Sequence, residues 1–196
     1  PGANAASVAD IAVTLMLATT RRLLVADGYV RDGSWAGAKP SPMMRPQAGM
    51  LGRKIGVYGM GEIGRKIAAR VGAFETEVGY FSRSKHDVPY QYFPTLEALA
   101  EWCSVLMIAV RAGDQTHHTV DANILQKLGA DGYVVNIARG SVVDQNALVR
   151  ALTDKTIAGA GLDVYAKEPH APDTPTALPH VGLSPPIAGH PLESAH

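Results

Sequence analysis

Cysteine and surplus charge are both scarce in this sequence. Cys103 is the one cysteine among 196 residues, so the chain can form no internal disulfide and no cysteine-based metal site. A lone thiol favours a reducing compartment, and we expect a cytoplasmic protein without a bound metal. Eighteen basic residues balance eighteen acidic ones. This balance argues against nucleic acid or a membrane surface as a partner, because both select proteins with a basic face.

Long apolar runs are also missing. The longest uncharged apolar stretch, residues 11–20, is well short of the roughly 20 residues that a membrane-spanning helix needs. The chain begins Pro1-Gly2-Ala3-Asn4, with neither an initiator Met nor a signal segment, so we expect a piece of a longer protein. Hydrophobic residues nevertheless make up 46%, which is enough for one sizeable domain with a buried core.

From residue 53 onward, short apolar runs alternate with helical periods. The strand-like runs are residues 54–58, 77–81, 105–110, 133–137, 157–162 and 180–183, and the helical spacings cover 63–71, 96–102, 122–128 and 145–152. Strands this uniformly apolar suit a parallel sheet that is covered on both faces. We therefore predict an α/β fold with a doubly wound parallel sheet of the Rossmann type.

The two ends of the sequence differ from this alternating part. A helical pattern begins after Ser7, where Asp10 adds a helix-start signal, and fades near Gly28. Residues 32–52 are rich in Gly, Pro, Ser and Met and predict a long surface connection. Seven of the thirteen prolines lie between Pro169 and Pro191, which indicates a segment that is mostly loop.

A glycine-rich motif, G-x-G-x-x-G, stands at residues 59–64, directly after a predicted strand and before a predicted helix. Gly59 permits the tight turn, Gly61 lets a diphosphate approach the backbone, and Gly64 lets the helix pack closely on the strand. Glu62 and Ile63 open the helix, whose N-terminal N–H groups and positive dipole end suit phosphate. These five residues predict a dinucleotide site, although glycines also serve ordinary turns.

The end of the second predicted strand indicates which dinucleotide binds. An NAD site places Asp or Glu about 20 residues after the glycines, on the ribose hydroxyls. This sequence instead has Ser82, Arg83, Ser84 and Lys85, and its first carboxylate there is Asp87. The four side chains can donate hydrogen bonds to a 2′-phosphate, which a carboxylate would repel. We predict NADP, with NAD less favoured; a solvated polar turn is the other interpretation.

Several motifs together resemble one family. They are G-M-G-E-I-G at residues 59–64, V-N-I-A-R-G at 135–140, G-L-D-V-Y at 161–165 and E-P at 168–169. Their order and spacing resemble the D-isomer-specific 2-hydroxyacid dehydrogenases over essentially the whole chain. The Ser-Arg-Ser end of the second strand looks most like the glyoxylate and hydroxypyruvate reductase branch of that family.

The resemblance implies a two-domain enzyme whose active site lies in the cleft between the domains. It divides this chain into an interdomain helix (1–31), a connecting arm (32–52), a dinucleotide-binding domain (53–184) and the start of a return to the substrate domain (185–196). Most of the substrate domain would then be absent. The resemblance also implies a homodimer, a small 2-keto or 2-hydroxy acid as substrate, and hydride transfer between it and the nicotinamide.

Catalytic roles follow from the resemblance residue by residue. Arg139 is the arginine that holds the substrate carboxylate, a task suited to a planar guanidinium. Glu168 is the carboxylate partner of a catalytic histidine, and such a partner raises the pKa of imidazole. Ile137, Arg139 and Asp163 lie beside the cofactor, Asp163 near the nicotinamide. Further residues expected to line the cleft are Asn136 and Ser141.

The catalytic histidine itself is missing, because Pro186 occupies its position and proline has no proton to exchange. Three explanations stay open: an alteration or error at this codon, a natural variant that binds cofactor with poor turnover, or substitution by His190. The leading hypothesis is an NADP-dependent reductase of a small 2-keto acid, impaired by Pro186. The alternatives are a non-catalytic dinucleotide-binding or redox-sensing module and, with little support, another Rossmann enzyme such as an amino-acid dehydrogenase.

Overall fold

The computed structural model describes residues 4–37, 48–166, 178 and 180–185. The helices in these residues are α1 (Ala5–Thr20), α2 (Leu23–Arg31), α3 (Glu62–Gly72), α4 (Leu96–Trp102), α5 (Ala122–Leu128) and α6 (Gln145–Thr153). The strands are β1 (Lys54–Tyr58), β2 (Glu77–Phe81), β3 (Gln91–Tyr92), β4 (Val105–Ile108), β5 (Tyr133–Asn136), β6 (Gly159–Leu162) and β7 (Val181–Leu183). None of the helices in these ranges is long and apolar enough to cross a membrane.

The strands in the described ranges form one seven-stranded sheet in the order β3-β2-β1-β4-β5-β6-β7. Every neighbouring pair is parallel. The strand order reverses between β1 and β4, because the chain first adds β2 and β3 on one side of β1 and then crosses to the other. Ligands of open α/β sheets bind at such a reversal. The predicted doubly wound, Rossmann-type sheet is confirmed.

Helices cover both faces of the sheet, and each face has its own apolar core. Residues such as Leu99 of α4 and Leu125 of α5 pack over one face together with α6. Met16 of α1 and Ile67 of α3 pack over the other face. Because strand side chains on both faces are covered, the strands have the uniformly apolar sequences from which a parallel sheet was predicted.

Cys103 lies in the first of these cores, at the C-terminal end of α4. Its sulfur faces β1, where a Cβ added to Gly56 would come within 2.8 Å of it. Burial raises the pKa of the Cys103 thiol to about 12. The thiol is therefore protonated at neutral pH, and its role is packing rather than chemistry.

The first helix packs directly on the sheet. Leu15 and Thr19 of α1 lie over β6 so closely that a Cβ added to Gly161 would come within 3.1 Å of both side chains. Asp10 forms an ion pair with Arg70 of α3, with 2.6 Å between Oδ1 and Nε. The Thr19 hydroxyl is buried here and has no hydrogen-bond partner within the described part of the chain. The helix of the predicted interdomain segment thus shares a core with the seven-stranded sheet.

Several local predictions were wrong. α1 begins at Ala5, so Ser7 lies inside its first turn and does not precede the helix. The helical run reaches Arg31 but is interrupted at Arg22, which has a left-handed φ of 53°. β3 (Gln91–Tyr92) was not predicted, because a short, partly exposed strand carries no apolar run. β4 and β5 end, and β6 and β7 begin, one or two residues inside the predicted limits.

Candidate functional site

The loops that follow the strands all converge on one edge of the sheet, because every strand runs in the same direction. The glycine motif follows β1, and the Ser-Arg-Ser-Lys segment follows β2. Ile137 and Arg139 follow β5, and Asp163 follows β6. The fold therefore brings to one edge all the predicted site residues that the structure describes, and this edge contains the β1–β4 reversal.

The three glycines of the motif have different surroundings. Gly59 has a φ of 100°, and a Cβ there would lie 2.7 Å from Cα of Val110, so this turn needs glycine. A Cβ on Gly64 would overlap the carbonyl oxygen of Gly59. Gly61 is exposed, and a Cβ there would meet no atom within 4 Å. Two glycines therefore serve the protein's own packing, whereas the third leaves open space beside the backbone.

The open space lies at the N-terminus of α3. Glu62 is exposed and begins the helix, while Ile63 is half-buried against the core beneath α1 and α3. The first N–H groups of a helix have no partner within the helix and carry its positive dipole end. The space beside Gly61 thus suits an anion such as a diphosphate.

The segment after β2 forms a tight turn. The Ser82 hydroxyl donates to the Ser84 carbonyl at 2.6 Å, so its proton is used within the turn. Tyr92 donates to the Ser82 carbonyl at 3.5 Å. Arg83, Ser84 and Lys85 are exposed, and neither basic side chain is in an ion pair with any carboxylate of the described residues. Two unpaired cations beside the glycine loop favour an additional phosphate.

Arg65, which was not predicted as a site residue, connects the glycine loop with the segment after β2. Its Nε donates to the Met60 carbonyl at 3.4 Å, and its Nη2 lies 3.2 Å from Nδ1 of His86. Its position directly after Gly64 was the available signal. The sequence could not show that its side chain reaches the second loop, since that contact depends on the pairing of β1 with β2.

Arg139 lies at the end of β5 on a loop that Asn136 holds. The buried Asn136 side chain accepts from the Ala138 N–H and donates to the Arg139 carbonyl, each at 3.0 Å. Arg139 is exposed, and its Nη1 donates to the Ala138 carbonyl at 2.7 Å. Ile137 is 6% exposed and packs in the core, so it can contact a ligand chiefly through its backbone.

Gly140 joins this loop to the one after β6. A Cβ on Gly140 would overlap the backbone carbonyl of Tyr165 and lie 2.5 Å from the Ala166 nitrogen. The carboxylate of Asp163 is buried and accepts a 2.5 Å hydrogen bond from the Ser184 hydroxyl. The Ser184 N–H donates to the Leu162 carbonyl at 3.0 Å. The Asp163 N–H donates to the Asn136 carbonyl at 3.1 Å, so hydrogen bonds link the ends of β5, β6 and β7 around Asp163.

The loop after β4 also belongs to this edge, although it was not predicted. Thr119 lies 3.1 Å from the hydroxyl of Tyr58, the last residue of β1, and burial raises the pKa of that phenol. His118 has a left-handed φ of 50° and donates its N–H to the Ser141 carbonyl at 2.9 Å. Ser141 itself is exposed. Sequence reasoning missed these contacts, because they join residues far apart in the chain.

Three predicted positions lie outside the described residues: Glu168, Pro186 and His190. The structure therefore does not test the histidine partner, the proline in the histidine position or the substitute histidine. The described part of the chain ends with Ser184 and Pro185, directly before Pro186, and these two residues follow β7 at the same edge of the sheet.

Comparison with known proteins shows one consistent likeness. The family model described as "D-isomer specific 2-hydroxyacid dehydrogenase, NAD binding domain" matches residues 13–188. The 2-ketogluconate reductase of Gluconobacter oxydans is 45% identical over 177 residues, which cover 90% of this chain and 56% of that protein. Glyoxylate/hydroxypyruvate reductase A of Arabidopsis thaliana is 39% identical over 188 residues, 95% of this chain and 59% of that protein.

Solved structures agree with the sequence relatives. An NADPH-dependent glyoxylate/hydroxypyruvate reductase from Sinorhizobium meliloti, crystallised with NADP and malonate, matches with a TM-score of 0.92 and 37% identity. That match covers 99% of this chain and 60% of the other one. The chain thus spans less than two thirds of the length of the relatives it matches.

Proposed function

The chain belongs to the D-isomer-specific 2-hydroxyacid dehydrogenase family, and on this premise we propose that it is the cofactor-binding part of an oxidoreductase. The proposed reaction transfers a hydride between NADP(H) and a small 2-keto or 2-hydroxy acid, with glyoxylate and hydroxypyruvate as the leading substrates. Relatives in this family are named as reductases of 2-ketogluconate, glyoxylate and hydroxypyruvate.

The glycine loop is the observation that carries the proposal. Gly59 and Gly64 are fixed by contacts within the protein, while Gly61 faces open space at the N-terminus of α3. Packing within the described part of the chain does not require glycine at the open position, because a methyl there would meet no atom. A diphosphate that approaches the backbone supplies that reason.

The preference for NADP rests on charge at the end of β2. Arg83 and Lys85 are exposed and unpaired among the described carboxylates, and Asp87 is the first carboxylate after the strand. A 2′-phosphate carries charge that guanidinium and ammonium groups can neutralise, and Arg can bind it with two parallel hydrogen bonds. NAD lacks this phosphate and gains nothing from these cations.

The proposed chemistry assigns separate tasks to residues of this chain. Arg139 binds the substrate carboxylate and polarises the keto group, because its guanidinium lies on the loop after β5 and is exposed. Asp163 accepts hydrogen bonds at the cofactor's nicotinamide end, where its carboxylate is fixed by Ser184. When bound, the cofactor supplies or accepts the hydride. Glu168 would support a neighbouring proton donor.

Pro186 favours a second candidate function. The position that should donate the proton holds a residue without an exchangeable side-chain proton. A protein with an intact cofactor site and no proton donor would bind NADP(H) without efficient turnover. The second candidate is therefore a non-catalytic dinucleotide-binding or redox-sensing module.

Cofactor titration followed by an activity assay tests both candidates. The fluorescence of NADPH and NADH gives their affinities for the chain, and we expect tighter binding of NADPH. NADPH oxidation by glyoxylate or hydroxypyruvate is then measured in the full-length protein and in its Pro186→His variant. Turnover that rises with Pro186→His supports the reductase, whereas binding without turnover in both supports the module. Failure to bind either cofactor contradicts both.

We also propose that the full-length protein is a homodimer that uses α2. No residue of α2 is buried, and Leu23, Leu24 and Val30 are each more than half exposed. A helix with such apolar side chains in water gains free energy when a partner covers it. Sedimentation analysis of the full-length protein and of a Leu24→Glu variant tests this, since the charge should shift a dimer toward monomer. A monomeric wild-type protein would contradict the proposal.

A further inference from the structure

Arg65 has a side chain held in place by two neutral groups. The Met60 carbonyl accepts from Nε at 3.4 Å, and Nδ1 of His86 lies 3.2 Å from Nη2. Since every guanidinium N–H is a donor, Nδ1 of His86 is the acceptor in this contact, which assigns the ring proton to Nε2. These contacts orient the guanidinium without cancelling its charge.

His86 is itself anchored to the buried core. Its backbone N–H donates to the Tyr80 hydroxyl at 2.8 Å, and that hydroxyl donates to the His86 carbonyl at 3.2 Å. Tyr80 lies on β2 and is fully buried. The acceptor of Arg65 is therefore fixed relative to the end of β2, and Arg65 is not simply resting on a mobile surface group.

The Arg65 guanidinium is not neutralised by an ion pair in the described part of the chain. No carboxylate there forms an ion pair with it. A guanidinium oriented by neutral acceptors keeps its full attraction for an anion, whereas one paired with Asp or Glu would first have to break that pair. Arg65 is exposed, so an anion can reach it.

Arg65 also bridges the two segments that the proposed function assigns to the cofactor. One of its contacts is Met60 in the glycine loop, and the other follows Lys85 directly in sequence. The Gly59 N–H donates to the Phe81 carbonyl at 2.8 Å, so the loop and the end of β2 are adjacent. The adenosine ribose of a dinucleotide lies between these two segments in Rossmann folds.

We propose that Arg65 is a second guanidinium, besides Arg83, that binds the 2′-phosphate of NADP, and that His86 is its positioning residue. This inference rests on the proposed function and adds a specificity-determining residue to it. One guanidinium comes from the helix after the glycine loop and the other from the loop after β2. A phosphate with a charge near −2 is matched by two such cations better than by one.

Affinities for NADPH and NADH, measured by fluorescence titration at fixed ionic strength, test the assignment. Arg65→Ala should weaken NADPH binding about tenfold or more and leave NADH binding within about twofold. Lys66→Ala is the matched control, because it removes one positive charge from the next residue of the same helix. It should change the NADPH to NADH ratio by no more than about threefold.

Two substitutions at residue 86 test the positioning role. His86→Ala should lower the preference for NADPH by about threefold to tenfold, because the guanidinium loses its anchor. His86→Asn should restore most of it, since the Asn oxygen can accept a hydrogen bond from a place close to Nδ1. Equal loss of NADPH and NADH binding in His86→Ala would overturn the positioning role.

The outcomes separate this inference from the proposed function. A wild-type protein that binds neither cofactor, or binds both equally, refutes the preference for NADP and the role of Arg65 together. A wild-type preference that Arg65→Ala retains in full overturns the role of Arg65 alone. Loss of NADH and NADPH binding to the same extent in Arg65→Ala also overturns it, because that result indicates a structural effect.

Discussion

Replacement of Gly61 by Ala adds one methyl group, which should affect ligand binding much more than protein stability. The residue has φ −75° and ψ −163°, a conformation that alanine adopts without strain. The added methyl would meet no protein atom within 4 Å. Gly61 is the N-cap of α3, where glycine is preferred to alanine, so the stability should fall by no more than about 1 kcal/mol.

The same methyl should oppose cofactor binding strongly. Hydrogen bonds from backbone N–H to phosphate oxygen need about 2.7–3.2 Å between the heavy atoms, and a methyl on that residue keeps the phosphate farther away. Loss of one charge-assisted hydrogen bond costs about 1.5–3 kcal/mol, so the affinity for NADPH and for NADH should fall tenfold to a hundredfold. Fluorescence titration measures the affinities, and circular dichroism on heating measures the stability.

Two other glycines of the same segment provide controls. Gly72, at the far end of α3, also has no atom within 4 Å of an added Cβ, so Gly72→Ala should leave cofactor affinity unchanged. Gly64→Ala should lower both stability and affinity, because its Cβ would overlap the Gly59 carbonyl. Wild-type affinity in Gly61→Ala would refute the reasoning that a diphosphate approaches this backbone.

Four further predictions concern other parts of the molecule. Arg83→Ala should weaken NADPH binding at least tenfold and NADH binding little; equal losses in the titration would make Arg83 an ordinary surface residue. Thr19→Val should raise the free energy of unfolding by about 1 kcal/mol in urea denaturation, because it removes a buried hydroxyl without a partner in the described structure. A variant less stable than the wild type would indicate that the Thr19 hydroxyl has a hydrogen-bond partner outside the described residues. Cys103 should resist thiol reagents at pH 8 until the protein unfolds, since a pKa of about 12 leaves about one thiolate in ten thousand. The pKa of Cys103 in the folded protein lies above its ordinary value of 9.0, so the thiol's contribution to the free energy of unfolding should be complete below pH 9 and decline from pH 9 toward pH 12. The control is Cys103→Ala, measured over the same pH range. If its free energy of unfolding falls as steeply with pH as that of the wild type, the decline is due to other groups.

The sequence predicted the parts of the fold that depend on local patterns. β1, the glycine motif and α3 form one continuous segment in which strand, turn and helix signals follow each other directly. The break at Arg22 was missed because arginine is a good helix former and gives no stop signal. β3 was missed because Gln91 and Tyr92 take strand geometry only by pairing with β2.

In the candidate site, too, features that depend on a short local motif could be predicted, whereas contacts between distant residues could not. The turn at Gly59 and the close contact of Gly64 with it could be predicted, since both lie within one short motif, whereas the approach of Val110 to Gly59 could not. The contact of Arg65 with His86 joins residues 21 positions apart, and so does that of Ser184 with Asp163. Such pairs exist only once the parallel strands are in register, which residue spacing alone does not fix.

The backbone contact at Gly140 has a mechanical consequence. Because no side chain separates residue 140 from the carbonyl of Tyr165, there is no soft layer that could absorb a displacement between the two loops. The loop that contains Arg139 and the loop that contains Asp163 must therefore move as one unit. If the crevice beside these loops opens or narrows, the backbone at Arg139 and the backbone at Asp163 should keep a constant separation, and the hinge must lie elsewhere.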